Sequence, residues 1–340
     1  MTLFYAHKDE NAIYYECGYS CDNAIFLCLD GQKYFITDSR YTIDASTHLS
    51  GVELVTSSNL LDEVISIIKK TKITTLTINP KEWSYFEVQK LVKVKIELAF
   101  DLLLSHKKRI IKSDEEIELL REAVRLGANG FADFAHEINE NGLGKSEQEL
   151  AFDNLACLSK RGSLATSFDA IVAINENAAK PHAHPSEKIL SQNDLLLVDA
   201  GVKYKRYCSD RTRTVRIGDE VVFDYEQRFN DVKMQKVYDT VRKAHDEAIA
   251  RYTAGMSAQN IDKLARDVIK EAGFGEYFTH STGHGVGLDI HEFPYISTTS
   301  DTMIEDNMVF TIEPGIYIDG FMGVRIEDMV VVKNGKLEVL

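Results

Sequence analysis

The sequence predicts a two-domain α+β protein, on three observations. Residues 1–108 alternate β-rich and helical stretches. The remainder runs twice through a long helix, a short helix and strands. Each run ends in two acids placed evenly about a turn. At 340 residues and 44% hydrophobic content, the chain is long enough for two cores. Its net charge of −14 comes without a basic block, which excludes nucleic acid and an anionic membrane as main partners. No apolar run approaches the ~20 residues of a membrane helix. The N-terminus MTLFYAHKDENAIYYECG has no basic stretch followed by an apolar core, so no signal peptide is expected. Cys17, Cys21, Cys28, Cys157 and Cys208 are odd in number and lack zinc-ligand spacing, which fits a reducing cytoplasm.

In the first domain, Ala24–Leu29 and Lys33–Thr37 flank Asp30-Gly31, a hairpin signal. Asn59–Lys70 has helical periodicity, Lys72–Ile78 is β-branched, and Trp83–Val92 is helical again. The basic stretch His106–Arg109 leads to Ser113-Asp114-Glu115-Glu116, a capping box that opens a long helix. The boundary is therefore placed between 108 and 109, giving a second domain of 109–340.

That second domain carries a faint repeat. The helix from Ser113 ends near Gly142, and Gly144-Lys145-Ser146 caps a shorter one to about Lys160. A second long helix is expected over Tyr225–Tyr252, and Gly255-Met256-Ser257 caps a shorter one ending at Gly273. Two such halves related by pseudo-symmetry would bring their acidic hairpins to one cleft.

The chemistry lies in those hairpins. Asp199 and Asp210 are equidistant from the Tyr204-Lys205 step, and Glu313 and Glu327 from Gly320. Hairpins folded there place the acids of each pair opposite one another on one face of a sheet. Each acid alone would be unremarkable: Asp199 as a strand end, Glu327 as a partner of Arg325. Facing like charges are destabilising unless something neutralises them, and metal ions would do so.

Between the pairs, His280, His284 and His291 lie in HSTGHGVGLDIHEFP, whose glycines forbid a regular helix. His182 and His184 fall in the loop KPHAHP, while His7, His48, His106, His136 and His245 have no such context. One histidine with four carboxylates is an oxygen-rich set, suited to Mn²⁺ or Co²⁺ ahead of Zn²⁺. Four formal negative charges balance two divalent ions. Two ions ~3.5–4 Å apart can share a water and lower its pKa toward roughly 7, giving a hydroxide that attacks a carbonyl.

These segments resemble the pita-bread metallopeptidases, in the proline-specific branch that contains aminopeptidase P and prolidase. The resemblance spans nearly the whole chain: YFITDSRYTIDAS, RIIKSDEEIELLREA, VDAG, SDRTRT, the GHGxGLxxHE loop, EPGIY and RIED. It implies a pita-bread catalytic domain with pseudo-two-fold halves, preceded by a smaller creatinase-type α/β domain. It further implies that Asp199, Asp210, His284, Glu313 and Glu327 bind two metal ions, with Asp210 and Glu327 bridging. Glu313 would also shuttle a proton, and His291 would stabilise the tetrahedral intermediate. His182 and His280 would contact substrate, and Arg325 would orient the bridging carboxylates. The implied partners are small proline-containing peptides and a second copy of the chain in a homodimer. AINENAAKPHAHP departs from the usual loop before His182, and Tyr295 stands where some prolidases carry an arginine that grips a dipeptide carboxylate.

Other readings are a methionine aminopeptidase, a creatinase and a non-catalytic peptide-binding module. The N-terminal domain and His291-Glu292-Phe293-Pro294 argue against the first. The complete ligand set argues against the other two.

Overall fold

In the computed structural model, which describes residues 4–340, the chain reverses at Asp30-Gly31 with both residues left-handed (φ 51° and 87°). That two-residue turn pairs Ala24–Leu29 with Gln32–Thr37, as expected of Asp-Gly between apolar runs. The hairpin sits within a six-stranded mixed sheet, completed by Phe4–His7, Glu53–Thr56, Thr75–Ile78 and Glu97–Phe100. Ala24–Leu29 is buried throughout because both faces of the sheet are covered. Ile25, Leu27 and Leu29 meet Val64, Ile67 and Ile68 of the Leu60–Thr71 helix, while Phe26 and Cys28 join a second core with Ile13 and Ala45. The helix expected from Trp83 begins at Tyr85, because Ser84 and Glu87 form a capping box there. This unit ends at Arg109 and the second runs Ile110–Leu340. The expectation of no signal peptide falls partly on residues 1–3, which lie outside the described residues. Among the described residues no helix is long and apolar enough to cross a membrane.

The second unit shows the repeated order. Ser113 and Glu116 close the predicted capping box on the Asp114–Asn141 helix, and Ser146 caps Glu147–Leu158. The later pair is Val232–Ala250 and Ala258–Glu271, the second capped by Ser257. The long helix starts at Val232 and not at Tyr225, because the Asp231 side chain accepts from the Lys233 and Met234 amides and fixes the N-terminus. Each short helix is stitched to a later loop in the same way. Ser146 bridges Ile189 and Ser257 bridges Met303; the Glu147 amide donates to Lys188 O and the Ala258 amide to Thr302 O. The recurrence of the whole stitch in both halves is the structural counterpart of the sequence repeat.

Each half then contributes antiparallel strands. Ile171–Ile174, Leu195–Ala200 and Arg211–Arg216 form one sheet. Gly283–Gly285, Glu292–Ile296, Val309–Ile312, Asp328–Lys333 and Lys336–Val339 form the other. They meet where the Glu327 amide donates to Thr212 O (3.1 Å) and Thr214 Oγ1 donates to Arg325 O (2.9 Å).

Candidate active site and metal centre

The two hairpins place their acids differently. Val309–Ile312 pairs with the Asp328 strand, and Gly315–Ile318 with Met322–Arg325, in one continuous register. Ile312 faces Asp328 and Gly315 faces Arg325, so Glu313 stands opposite Glu327 as predicted. In the first hairpin the register is shifted: Asp199 faces Thr212 and Ala200 faces Arg211, so Asp210 falls opposite Gly201. The turn lies at Lys205-Arg206, both left-handed (φ 45° and 74°), and not at Tyr204-Lys205. A two-residue turn of type I′ has this conformation at both positions. Asp199 and Asp210 are therefore not direct partners. The displacement along the strand is even, which keeps them on one face.

Gly201 permits the close approach, since a Cβ there would lie 1.8 Å from Ser209 O. Gly283 does the same in the other half, 1.9 Å from Thr311 O. His284 sits in the short Gly283–Gly285 strand, with a register irregularity between His284 and Gly285.

All nine predicted site residues line one cavity of about 760 Å³: Asp199, Asp210, His284, Glu313, Glu327, His291, His182, His280 and Arg325. Ligand atoms of Asp210, His284 and Glu327 lie within 4.8 Å of one another. His284 Nδ1 faces its neighbour's carbonyl, Gly285 O, at 3.1 Å. That contact assigns the proton to Nδ1 and leaves a lone pair on Nε2, aimed at Asp210 Oδ2 and Glu313 Oε1, each 3.6 Å away. Burial, then the nearby His291, pushes the His284 pKa down to about 4. A neutral nitrogen and two carboxylates thus turn acceptors toward one another, the donor set a cation satisfies.

The carboxylates carry the same signature. Burial and then the charges of Glu327, Asp199 and Glu313 hold Asp210 well above the usual carboxylate range. Burial and then Glu313 and Asp199 do so for Glu327. Burial lifts Glu313 to about 8, against the opposing pull of Arg325. Asp199 Oδ1 is buried with no hydrogen-bond partner. Buried, mutually repelling and unsatisfied, these groups fit divalent cations.

Arg325 organises the floor. It donates to Asp199 Oδ2 (2.6 Å), Tyr317 Oη (2.8 Å), Thr212 Oγ1 (3.0 Å) and Pro181 O (3.2 Å). Thr212 Oγ1 in turn donates to Glu327 Oε2 (2.7 Å). Tyr317 Oη meets His280 Nε2 at 2.8 Å, while His280 Nδ1 contacts Ser281 O at 2.7 Å. Burial and then Arg325 push the His280 pKa down to about 4. The His291 ring stands edge-on to His284 with centroids 4.3 Å apart, and burial and then His182 lower its pKa.

Sequence reading missed the residues that pin these segments. Glu147 is fully buried and accepts from the Ile174 and Ser186 amides, Asn177 Nδ2 and Ser186 Oγ, tying down the loop that carries His182. Asp262 binds Arg266 and Thr282, and Arg266 donates to Phe278 O and His280 O. Lys112 Nζ reaches Glu292 Oε2 at 2.9 Å, with both side chains buried, and Glu292 Oε1 accepts from the Asp289 amide. That pair closes the turn bearing His291. In the sequence Glu147 reads as an ordinary acid in the first turn of a helix, and neither Asp262 nor the Lys112–Glu292 pair has a local signal.

A neutral histidine and buried acids at the floor of a cleft form a donor set that fits divalent metal. Residues 118–334 match the metallopeptidase family M24, and the chain belongs to that family. It is 33% identical to the Xaa-Pro dipeptidase of Pyrococcus furiosus over 95% of this chain and 89% of that protein. A solved Xaa-Pro dipeptidase from Bacillus anthracis superimposes with a TM-score of 0.90 at 35% identity, covering 99% of this chain and 92% of that one. An X-Pro aminopeptidase from Thermotoga maritima gives 0.87 at 29% identity, covering 99% and 94%. The pita-bread architecture and metallopeptidase class expected from the sequence therefore hold, and the family depends on divalent metal.

Proposed function

We propose that the chain is a dinuclear-metal exopeptidase that hydrolyses Xaa-Pro bonds at the N-terminus of peptides or in dipeptides. The observation that carries the reading is the convergence of Asp210, His284 and Glu327 on the cavity floor. The relatives named as Xaa-Pro peptidases support the substrate class. Asp199, Asp210, His284, Glu313 and Glu327 would hold the two ions, with Mn²⁺ or Co²⁺ suited to the oxygen-rich donor set. When bound, the ions polarise the scissile carbonyl and lower the pKa of an attacking water.

The remaining work falls to side chains. Glu313 takes the proton from the water as the C–O bond forms and delivers it to the proline nitrogen as the C–N bond then breaks. That nitrogen belongs to a tertiary amide with no N–H, so the proton must be supplied. His291 hydrogen-bonds the carbonyl oxygen as negative charge develops. Arg325 holds Asp199 directly and Glu327 through Thr212. His182 and His280 line the substrate side. A homodimer in a reducing cytoplasm belongs to the same reading; the five free cysteines support the compartment, and sedimentation equilibrium reads the assembly.

The test is selectivity at the scissile bond. Enzyme stripped by chelator and reloaded with Mn²⁺ should cleave Ala-Pro-Ala-Ala and leave Ala-Ala-Ala-Ala intact. Equal cleavage of both would end the proline-specific reading.

A further inference from the structure

We propose that this cavity prefers peptides of three or more residues over dipeptides, seating the residue after proline on the Phe152–Leu155 face of the Glu147–Leu158 helix. The proposal rests on the Xaa-Pro reading and goes beyond it by naming the substrate's length and the surface that selects it.

Charge is the first ground. Among the described residues lining the cavity, Arg325 is the one lysine or arginine. Its guanidinium is fully engaged by Asp199, Tyr317, Thr212 and Pro181, and the residue is 3% exposed. A dipeptide brings its α-carboxylate in on the proline itself. Two divalent ions held there would balance the four floor acids and leave no surplus positive charge for a fifth carboxylate, while Asp169 adds another acid to the wall. A carboxylate leaving water for such a wall is disfavoured unless paired. In a longer peptide a neutral amide occupies that position and the charge lies farther out, in water.

Surface is the second ground. At about 760 Å³ the cavity lies in the upper half of the ~300–1,000 Å³ range of small-molecule sites. Phe152 is 70% exposed and Leu155 47%, and both line it. Their helix is anchored by Leu150 and Leu158 in the core, so the apolar pair is presented from a rigid element. Asn154 is on the same wall, 1% exposed, with neither its Oδ1 nor its Nδ2 hydrogen-bonded. A peptide group supplies the matching donor and acceptor. The face is continuous with the floor that holds the ligand set, which identifies its occupant as the distal part of the same substrate.

The experiment compares Ala-Pro, Ala-Pro-NH₂ and Ala-Pro-Leu-Ala on the Mn²⁺-loaded enzyme. The amide removes the charge at nearly constant size. Its kcat/KM should exceed that of Ala-Pro by at least about tenfold, and the tetrapeptide should exceed the amide. Calorimetric binding of the same series with the scissile amide reduced to an amine should follow the same order. F152S/L155S should lower the ratio of tetrapeptide to amide; circular dichroism checks that this double variant is folded. Ala-Pro turned over as well as the amide and the tetrapeptide would overturn the proposal and leave the Xaa-Pro reading standing. An unchanged ratio in F152S/L155S would remove the helix face from it. No turnover of any of the three, with ions bound, would sink the Xaa-Pro reading and this proposal with it.

Discussion

His284 presents a lone pair to Asp210 and Glu313 at 3.6 Å, an arrangement of three acceptors that repels until a cation stands among them. The same geometry separates the roles of the residues around it. Glu313 is both a ligand and the proton carrier in the proposed reaction, whereas His291 lies beside the centre and acts on the substrate oxygen. Glu313→Gln keeps the size of the side chain but cannot carry the proton, and should lower kcat by about 10²–10⁴-fold with the fold unchanged. His291→Ala should lower kcat by about 10²–10³-fold while ion content, read by plasma emission, stays at the wild-type level. Wild-type turnover in either folded variant would remove that residue from the mechanism.

Strands and loops set the precision of the site. The Gly320 hairpin was legible because Glu313, Glu327 and the turn follow one uninterrupted register. The Asp199 hairpin was read two positions out of place, since Lys205 and Arg206 both take the left-handed conformation without a glycine to announce it. The shared face survived because side chains alternate with a period of two. Lys112 and Glu292 were invisible for a different reason: they pair across 180 positions, and no local pattern links them. Their buried bond anchors the turn bearing His291, which predicts the behaviour of Lys112→Met. Turnover should fall roughly 10–100-fold through misplacement of His291, with ion content retained. Stability should fall by about 3–5 kcal/mol, because the Glu292 charge stays buried without its ammonium. Lys112→Arg should recover part of both. A Lys112→Met enzyme with full kcat would show that the pair serves stability alone.

On the scale of the whole molecule, the repeated order of elements brings so much of the candidate site to one place. Each half delivers a pair of acids from its strands, and the Ser146–Ile189 and Ser257–Met303 bridges fix the halves alike. The helix pairs and the acidic spacing were readable from the sequence. The meeting of Thr212 with Glu327 and of Thr214 with Arg325 was not, because it depends on how the halves pack. Bringing four acids together also has a cost in pH. Asp210 and Glu327 bind protons more tightly in the folded chain, as does Glu313, raised from 4.5 to about 8. A folded state that binds more protons than the unfolded one loses stability as pH rises, here from the ordinary carboxylate range through about 8. Bound ions keep the same groups ionised and oppose this loss. The rise in Tm on adding Mn²⁺ should therefore grow between about pH 5 and pH 8. At about 100-fold over Kd the ion contributes about 2.7 kcal/mol. For a unit of this size that is a shift of roughly 5–10 °C. A shift that shrank with pH would contradict the assignment of these acids as ligands.

The most direct measurement is a titration of ion-free enzyme with Mn²⁺, with cleavage of Ala-Pro-Ala-Ala followed at each addition. No turnover is expected in chelator, and a rise that saturates near two ions per chain. Asp210→Asn or Glu327→Gln should abolish the rise. Turnover that survived complete removal of the ions, or that was indifferent to both substitutions, would contradict the metal-dependent reading.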